Sequence, residues 1–533
     1  MSEESTTPPV KKAPGLLRST ALVGIMTMMS RVLGLARDVL FARYIGAGPD
    51  ASAFFLAFKI PNFLRRLFAE GAFAQAFVPV LSEYRTSGSV DAVRGLIDRI
   101  AGCLGLSLIA ITVVAVVAAP AFTAVWGVGL LVKGETAMFW LASDLLRITF
   151  PYLLLISLTG FAGAILNSYD RFAIPAITPV FLNVCLIVAA VFVSPLMEEP
   201  VVGLAWGVLA AGVVQFVFQL PFLAHLGLLP RPKVDWKDPA VKKVLTLMAP
   251  AMFGVSVSQI NLMLDTMLAT FLQSESIAWL YYSDRLTELP LGVFGIAIAT
   301  VVLPTLSRQF SKNTHEGYGT TLDWALRMVM LIAVPAAIAL IVLAKPVLFT
   351  LFQYGKTSVN DVNMAALSLC AYSLGLTAFM LIKVLASAYF SRQDTRTPVR
   401  IGIIAMGANM VLNLLFVVPL HFIYQIGHMG LAMATACSAF LNAGLLYRGL
   451  RKAGVYQPGS GWLRFFVQLV GGSVCMFAAL MAAAYYVPSF EFLAWLDRCI
   501  YMALYVAIGL FAYVLGLAIT GLRPGHLRHH SSE

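Results

Sequence analysis

The segments AFFLAFKIPNFLRRLFAEGAFAQAFVPVLS (53–82) and AWLYYSDRLTELPLGVFGIAIATVVLPTLS (278–307) match at a constant offset of 225 residues. Ala53 meets Ala278, Pro79 meets Pro304, Leu81 meets Leu306 and Ser82 meets Ser307. A weaker kinship joins NSYDRFAIP (167–175) to FSRQDTRTP (390–398), each a turn ending in a proline that opens the next apolar stretch. The offset covers an even number of apolar stretches, so the two halves have the same orientation. Parallel repeats related by an axis along the membrane normal suit a transporter with its site between the halves.

The composition demands a membrane. Hydrophobic residues fill 59% of the 533 positions and charged residues only 12%, about half the charged fraction of a soluble chain. Mean hydropathy is +0.84, and runs of the roughly 20 apolar residues needed to cross a bilayer recur along the chain. Fourteen spans are expected, near 20–46, 51–82, 95–126, 138–168, 172–194, 200–226, 240–272, 276–307, 322–352, 361–391, 397–420, 428–450, 462–487 and 493–520. The expected fold is an all-α polytopic membrane protein of two parallel-related six-helix lobes, 20–226 and 240–450, followed by a C-terminal helix pair, 462–520. Short tails, 1–19 and 521–533, flank them. The first tail is polar, so a first span that serves as its own address is expected rather than a cleavable signal peptide.

Charge sets the topology. The net charge is +11, and the basic residues fall in alternate connections: Lys11/Lys12/Arg18, Arg85/Arg94/Arg99, Arg171, Arg231 to Lys243, Arg308/Lys312, Arg392/Arg396/Arg400, Arg448/Arg451/Lys452 and Arg523/Arg528. The positive-inside rule then puts both termini in the cytoplasm, in agreement with an even number of spans. This distribution argues against a nucleic-acid partner. Six cysteines lie in or beside spans without paired spacing and read as small apolar fillers. GKTS (355–358) is not a phosphate-binding loop, because Thr350 stands where the motif needs glycine. No catalytic spacing is present, so the chain reads as a transporter and not an enzyme.

Charges inside the spans carry the functional signal. Arg31 and Arg37 lie in the first span, Arg65 and Arg66 in the second and Arg285 in the eighth. Each costs roughly 2.5–3.5 kcal/mol near the bilayer centre, so such residues face a cavity and serve a pathway. Several interior cations point to an anionic cargo, and the planar guanidinium fork suits phosphate oxygens. Arg31 and Arg37 are about 240° apart on an ideal helix, and a bend or unwinding at Gly34 would turn both into one cavity. Ser30 adds a hydroxyl. Glu70 follows Arg66 by four residues and Glu288 follows Arg285 by three, with Asp284 adjacent, so ion pairs on one helix face could act as gates. Asp265, Asn409, Asn413 and Thr435 form a hard-oxygen set suited to a small cation. Interhelical hydrogen bonding and proton carriage by Asp265 are alternative roles for them.

SRVLGLARDVLFARYIGAG (30–48), FKIPNFLRRLFAEGAFAQAFVPVLSEY (58–84), YYSDRLTELPLGVFGIAIATVVLP (281–304) and YFSRQDTRTPVRI (389–401) resemble the MurJ (MviN) family of bacterial lipid II flippases. That family belongs to the multidrug/oligosaccharidyl-lipid/polysaccharide exporter superfamily, and the resemblance covers nearly the whole chain. It implies a flippase of the cytoplasmic (inner) membrane that carries lipid II, an undecaprenyl-diphosphate-linked muropeptide, to the outer leaflet by alternating access. It implies diphosphate-handling roles for Arg31, Arg37, Arg65 and Arg285, with Ser30, Gly34, Arg66, Glu70, Asp284 and Glu288 supporting or gating. It also implies a sodium site at Asp265, Asn409, Asn413 and Thr435, completed by the Leu431 carbonyl, with no other cofactor, and lipid II and membrane lipids as partners of a monomer. One departure stands out: Ser52 occupies the position of a usual acidic residue, with Asp50 two positions earlier. A flippase for another polyprenyl-diphosphate oligosaccharide, or a drug/cation antiporter of the superfamily, is the competing expectation. The antiporter would favour interior carboxylates over these arginines.

Overall fold

The computed structural model describes residues 16–67, 73–311 and 315–523. Among them the chain is helical throughout, without strands. The first half contains α1 (Leu16–Tyr44), α2 (Pro49–Arg65), α3 (Ala74–Ser87), α4 (Val90–Val117), α5 (Ala119–Trp126), α6 (Val128–Lys133), α7 (Thr136–Thr149), α8 (Tyr152–Ser168), α9 (Ala173–Val188) and α10 (Pro200–His225). The second half contains α11 (Pro239–Ala269), α12 (Ser276–Pro290), α13 (Ile296–Ser311), α14 (His315–Val342), α15 (Ala344–Phe352), α16 (Val359–Phe390), α17 (Arg396–Tyr424) and α18 (Gly427–Lys452). A final pair, α19 (Trp462–Tyr486) and α20 (Trp495–Ile519), follows.

Local chemistry accounts for the helix starts. Proline opens α2, α10 and α11, where its missing N–H would be unpaired in any case. Asp238 caps α11 by accepting from Ala240 and Val241, and Ser358 with Asp361 forms a capping box on α16. The internal repeat reappears as geometry. A π-helical turn follows α2 at 66–67, and another follows α12 over Leu291–Gly295, 225 residues later.

Ten helical stretches are long and apolar enough to cross a membrane among the described residues. The remaining long stretches are α1, α2–α3, α11 and α12–α13. They carry Arg31, Arg37, Arg65, Arg66, Asp265, Asp284, Arg285 and Glu288. In the first half, α1 packs on α9, α10 on α8 and α9, and α2 on α7; in the second, α18 packs on α16 and α17. Helix α11 leans on both halves, lying along α3, α4 and α5 as well as α17.

The apolar core is shared at one end and divided at the other. One cluster joins Phe41, Phe54 and Phe55 of the first half to Tyr282, Phe349 and Phe352 of the second. Towards the basic connections the packing splits. Phe77, Leu96, Ile97 and Leu166 belong to one cluster, and Leu306, Leu326, Val384 and Leu446 to another. The helix pair α19–α20 is fastened to the second half at three depths. Asp323 accepts from Tyr456 (2.6 Å) and Trp462 (2.7 Å), Tyr513 donates to the Leu331 carbonyl (2.7 Å), and Arg498 donates to the Phe349 carbonyl (2.9 Å).

Small residues set the helix crossings, as expected where hydrocarbon supplies no drive for association. A Cβ added at Gly375 of α16 would lie 2.8 Å from Ala436 Cα and 2.9 Å from its Cβ on α18. Gly375→Val should therefore force these helices apart at a cost of about 1–3 kcal/mol, read as a lower thermal unfolding midpoint in detergent. An unchanged midpoint would show that the crossing can widen freely.

Candidate functional site

A buried carboxylate joins the halves. Asp38 of α1 accepts from Arg37 Nε (2.9 Å) and Nη2 (2.8 Å) and from the Tyr281 hydroxyl (2.9 Å) of α12. Its other oxygen lies 3.1 Å from Arg285 Nε. Arg37 further donates to Asn183 Oδ1 of α9 (3.0 Å) and to Tyr281 (3.2 Å). Tyr281 stacks on Phe55 at 3.8 Å between ring centroids, and Arg285 lies over the Tyr281 ring at 5.3 Å. Arg285 Nη1 also pairs with Glu288 at 2.8 Å, the i,i+3 pair expected from the sequence. Side-chain exposure at Asp38 is 2% and at Arg37 6%, so these charges are balanced by each other and not by water.

Helix α1 stays continuous through Gly34, so no unwinding turns its two arginines to one point. Arg37 goes to Asp38, while Arg31 goes to the π-helical turn of the second half. A Cβ on Gly292 would lie 1.7 Å from Arg31 Nη1, so glycine is what seats that guanidinium on the backbone. Gly34 packs against the Asn183 amide, which donates to the Ser30 carbonyl at 2.9 Å.

Beside this cluster lies a cavity of about 300 Å³ between the halves. Lys59, Asn62 and Arg66 line it from α2 and the turn after it, Asp284, Arg285 and Glu288 from α12, and Asp265 from α11. Lys59 Nζ donates to Thr266 Oγ1 at 3.0 Å. Lys59 and Asp284 are 225 residues apart, so equivalent positions of the two repeats present opposite charges to one cavity. Arg65 turns back to Asn62 Oδ1 (3.2 Å). Glu70 lies outside the described residues.

Asp265 sits at the far wall. Its Oδ1 accepts from Asn409 Nδ2 (2.9 Å) and Asn413 Nδ2 (2.8 Å), and its Oδ2 from Thr435 (3.3 Å). Thr435 also donates to the Leu431 carbonyl (3.0 Å). The amide oxygens of Asn409 and Asn413 are buried without a hydrogen-bond partner among the described residues. Two orphaned amide oxygens, a carboxylate, a hydroxyl and a carbonyl are the donor types a small hard cation takes, and turning over the two amides, which now direct their NH2 groups at Asp265, would bring their oxygens to it. Among the described residues no group of three or more His, Cys, Asp and Glu could hold a metal ion.

One end of the cavity is clasped shut. Thr357 Oγ1 donates to the Ala42 carbonyl (2.7 Å), the Lys356 N–H to the Arg43 carbonyl (3.2 Å), and the Tyr282 hydroxyl to the Gly46 carbonyl (2.9 Å). Gly355 has φ +61, and a Cβ there would lie 2.2 Å from the Arg43 carbonyl oxygen, so glycine is required twice over. GKTS is thus an inter-half clasp. Ser52, fully buried, accepts from the Ala278 N–H near the start of α12 (3.1 Å). Its hydroxyl supplies the acceptor there, while Asp50 is exposed in the first turn of α2. Sequence reasoning missed Lys59, Asp38, Asn183 and Tyr281. Lys59 was open to the same rule that found the arginines, since it interrupts FFLAFKIPNF. Asn183 and Tyr281 carry no local signal.

A family model described as Lipid II flippase MurJ matches residues 41–505. A curated Vibrio cholerae protein, "Probable lipid II flippase MurJ", is 51% identical over 520 residues, covering 96% of this chain and 98% of its own length. The "Lipid II flippase MurJ" of Burkholderia cenocepacia is 44% identical over 471 residues, covering 87% and 89%. Among solved structures, a lipid II flippase MurJ in an inward closed conformation matches with TM-score 0.78 and 26% identity, over 94% of this chain and 98% of that one. An inward-facing multidrug resistance transporter of the MATE family matches with TM-score 0.65 and 16% identity, over 82% and 98%, a likeness of fold alone.

Removing one partner of a buried charge cluster leaves the others uncompensated, at about 3–5 kcal/mol. Asp38→Asn should therefore lower the unfolding midpoint sharply, and Arg37→Gln in the same chain should recover part of the loss. An Asp38→Asn protein as stable as the parent would show that the arginines find water.

Proposed function

The chain belongs to the lipid II flippase MurJ family, and from that premise we propose that it moves lipid II from the cytoplasmic to the outer leaflet of the bacterial inner membrane for cell-wall synthesis. The observation that supports the mechanism best is the charged cavity between duplicated halves, where Lys59, Arg66 and Arg285 face Asp265, Asp284 and Glu288, clasped at one end, with the apolar core divided at the other. In this reading fourteen helices cross the membrane. The lobes 20–226 and 240–450 rock about the cavity, the pair 462–520 rides on the second lobe, and the tails 1–19 and 521–533 are cytoplasmic. The clasped end is periplasmic, and the protein works as a monomer.

A diphosphate cannot cross hydrocarbon bare. Arg31, Arg37, Arg65 and Arg285 receive it, and Ser30 and Gly34 support Arg37 through Asn183. In the structure Arg37 and Arg285 are held by Asp38 and Glu288. An arriving diphosphate competes for the same guanidinium forks and loosens the tie between the halves. Arg66, Asp284 and Glu288 line the cavity, and a gating role goes to them and, from its spacing to Arg66 alone, to Glu70. A sodium ion held by Asp265, Asn409, Asn413, Thr435 and the Leu431 carbonyl would supply the positive charge that lets Asp265 stay ionised in the membrane. The same residues steady α11 against α17 and α18.

Arg31→Ala, Arg65→Ala and Arg285→Ala should each fail to support growth of a flippase-depleted strain while still inserting. Lysine at these positions should rescue poorly, because it lacks the bidentate fork. Growth at parental expression with any alanine variant would remove that arginine from substrate handling.

The cation site has its own test. Asp265→Asn and Asn413→Ala should each abolish stabilisation of the purified protein by sodium over potassium. Sodium dependence surviving in both would leave these residues as helix-packing hydrogen bonds only.

A further inference from the structure

A second cleft, of about 420 Å³, lies away from the central cavity, between the second half and the helix pair. Lys345, Phe349, Leu367, Val487, Phe490 and Tyr505 line it, and no carboxylate does. Lys345 is exposed at the start of α15 and has no ion-pair partner among the described residues. Neighbouring cations at this end are engaged: Lys133 with Glu135 at 2.9 Å, and Arg498 with the carbonyls of Phe349, Gln353 and Glu491. Tyr505, 3% exposed, opens onto the cleft, and its hydroxyl has no partner among the described residues.

The cleft has the profile of a lipid site. Tyr485, Tyr486 and Trp495 project from the adjacent ends of α19 and α20, each more than half exposed, as aromatic residues do at a membrane interface. Tyr505 lies ten residues beyond Trp495, so the cleft reaches about 15 Å down the helix from that level. Most of the lining is apolar, and hydrocarbon is the filler that the surroundings offer. At the mouth the Lys345 ammonium, with no carboxylate in the lining, attracts an anionic headgroup. A zwitterionic headgroup brings its own competing cation, whereas a net anionic phospholipid does not.

We propose that this cleft binds an anionic phospholipid of the outer leaflet, with one acyl chain between α16 and α20 and its phosphate on Lys345. The lipid thereby wedges the helix pair against the second half. The inference rests on the membrane orientation proposed above and not on the flipping reaction.

The test is native mass spectrometry of the delipidated full-length protein titrated with phosphatidylglycerol or phosphatidylcholine. Phosphatidylglycerol should bind more tightly. Lys345→Met should weaken it about fivefold, the effect of one lysine beside an anionic lipid. Lys345→Arg should bind as the parent does, and Leu367→Trp, which fills the cleft, should bind least. Equal retention of the two lipids, or indifference to both Lys345→Met and Leu367→Trp, would overturn the proposal. So would displacement of phosphatidylglycerol by undecaprenyl phosphate, which would give the cleft to a polyprenyl carrier. Lipid II movement is not read in this measurement, so each idea can fail without the other.

Discussion

The Asp38 carboxylate is what allows two arginines to stand between the halves of this protein. Arg37 reaches it from the same helix and Arg285 from the other half. Without a counter-ion, guanidinium groups in a low-dielectric interior repel each other and draw in water. With one, they become an adhesive between α1 and α12 that a stronger anion can dissolve. Tyr281 and Asn183 fix the geometry, so that the forks are oriented before any ligand arrives.

That tie explains why the apolar packing is distributed unevenly. At the clasped end the halves bury phenylalanines against each other, and backbone carbonyls of α1 are satisfied by the turn at 355–358. At the other end each half keeps its own core. Two bodies that share a core at one end can pivot there, whereas separate cores cost little to part. Helix α11 is the exception, packed on both bodies and joined to the first by Lys243–Glu83 at 2.5 Å and Arg99–Asp238 at 2.9 Å. In the rocking proposed above it is the element that has to bend or slide.

Much of the site was legible because charge in a hydrophobic run is conspicuous. Arg31, Arg37, Arg65, Arg66, Arg285, Asp284, Glu288 and Asp265 all stand out on that rule, and Lys59 should have. The pairing of Arg285 with Glu288 follows from helix periodicity and is found. The meeting of Asp265 with Asn409, Asn413 and Thr435 needed three helices to converge, and the structure brings them to one carboxylate. The expected convergence of Arg31 with Arg37 is absent because α1 does not unwind at Gly34. The helix twist keeps them on different faces, and each finds its own partner.

What the sequence by itself determined was the class of molecule and the duplication. Hydropathy leaves no alternative to membrane helices, and the 225-residue offset predicts two like halves, because both are properties of residue order along one chain. Only the tertiary structure decided which charges neutralise which. Asp38 and Arg285 are hundreds of residues apart, and Lys59 meets Thr266 from the other half. Coulombic pairing depends on distance in space, and a helix period carries no information about a neighbour in another half. The role of GKTS was decided the same way: its glycine and threonine matter because α1 ends beside them, which no local pattern records.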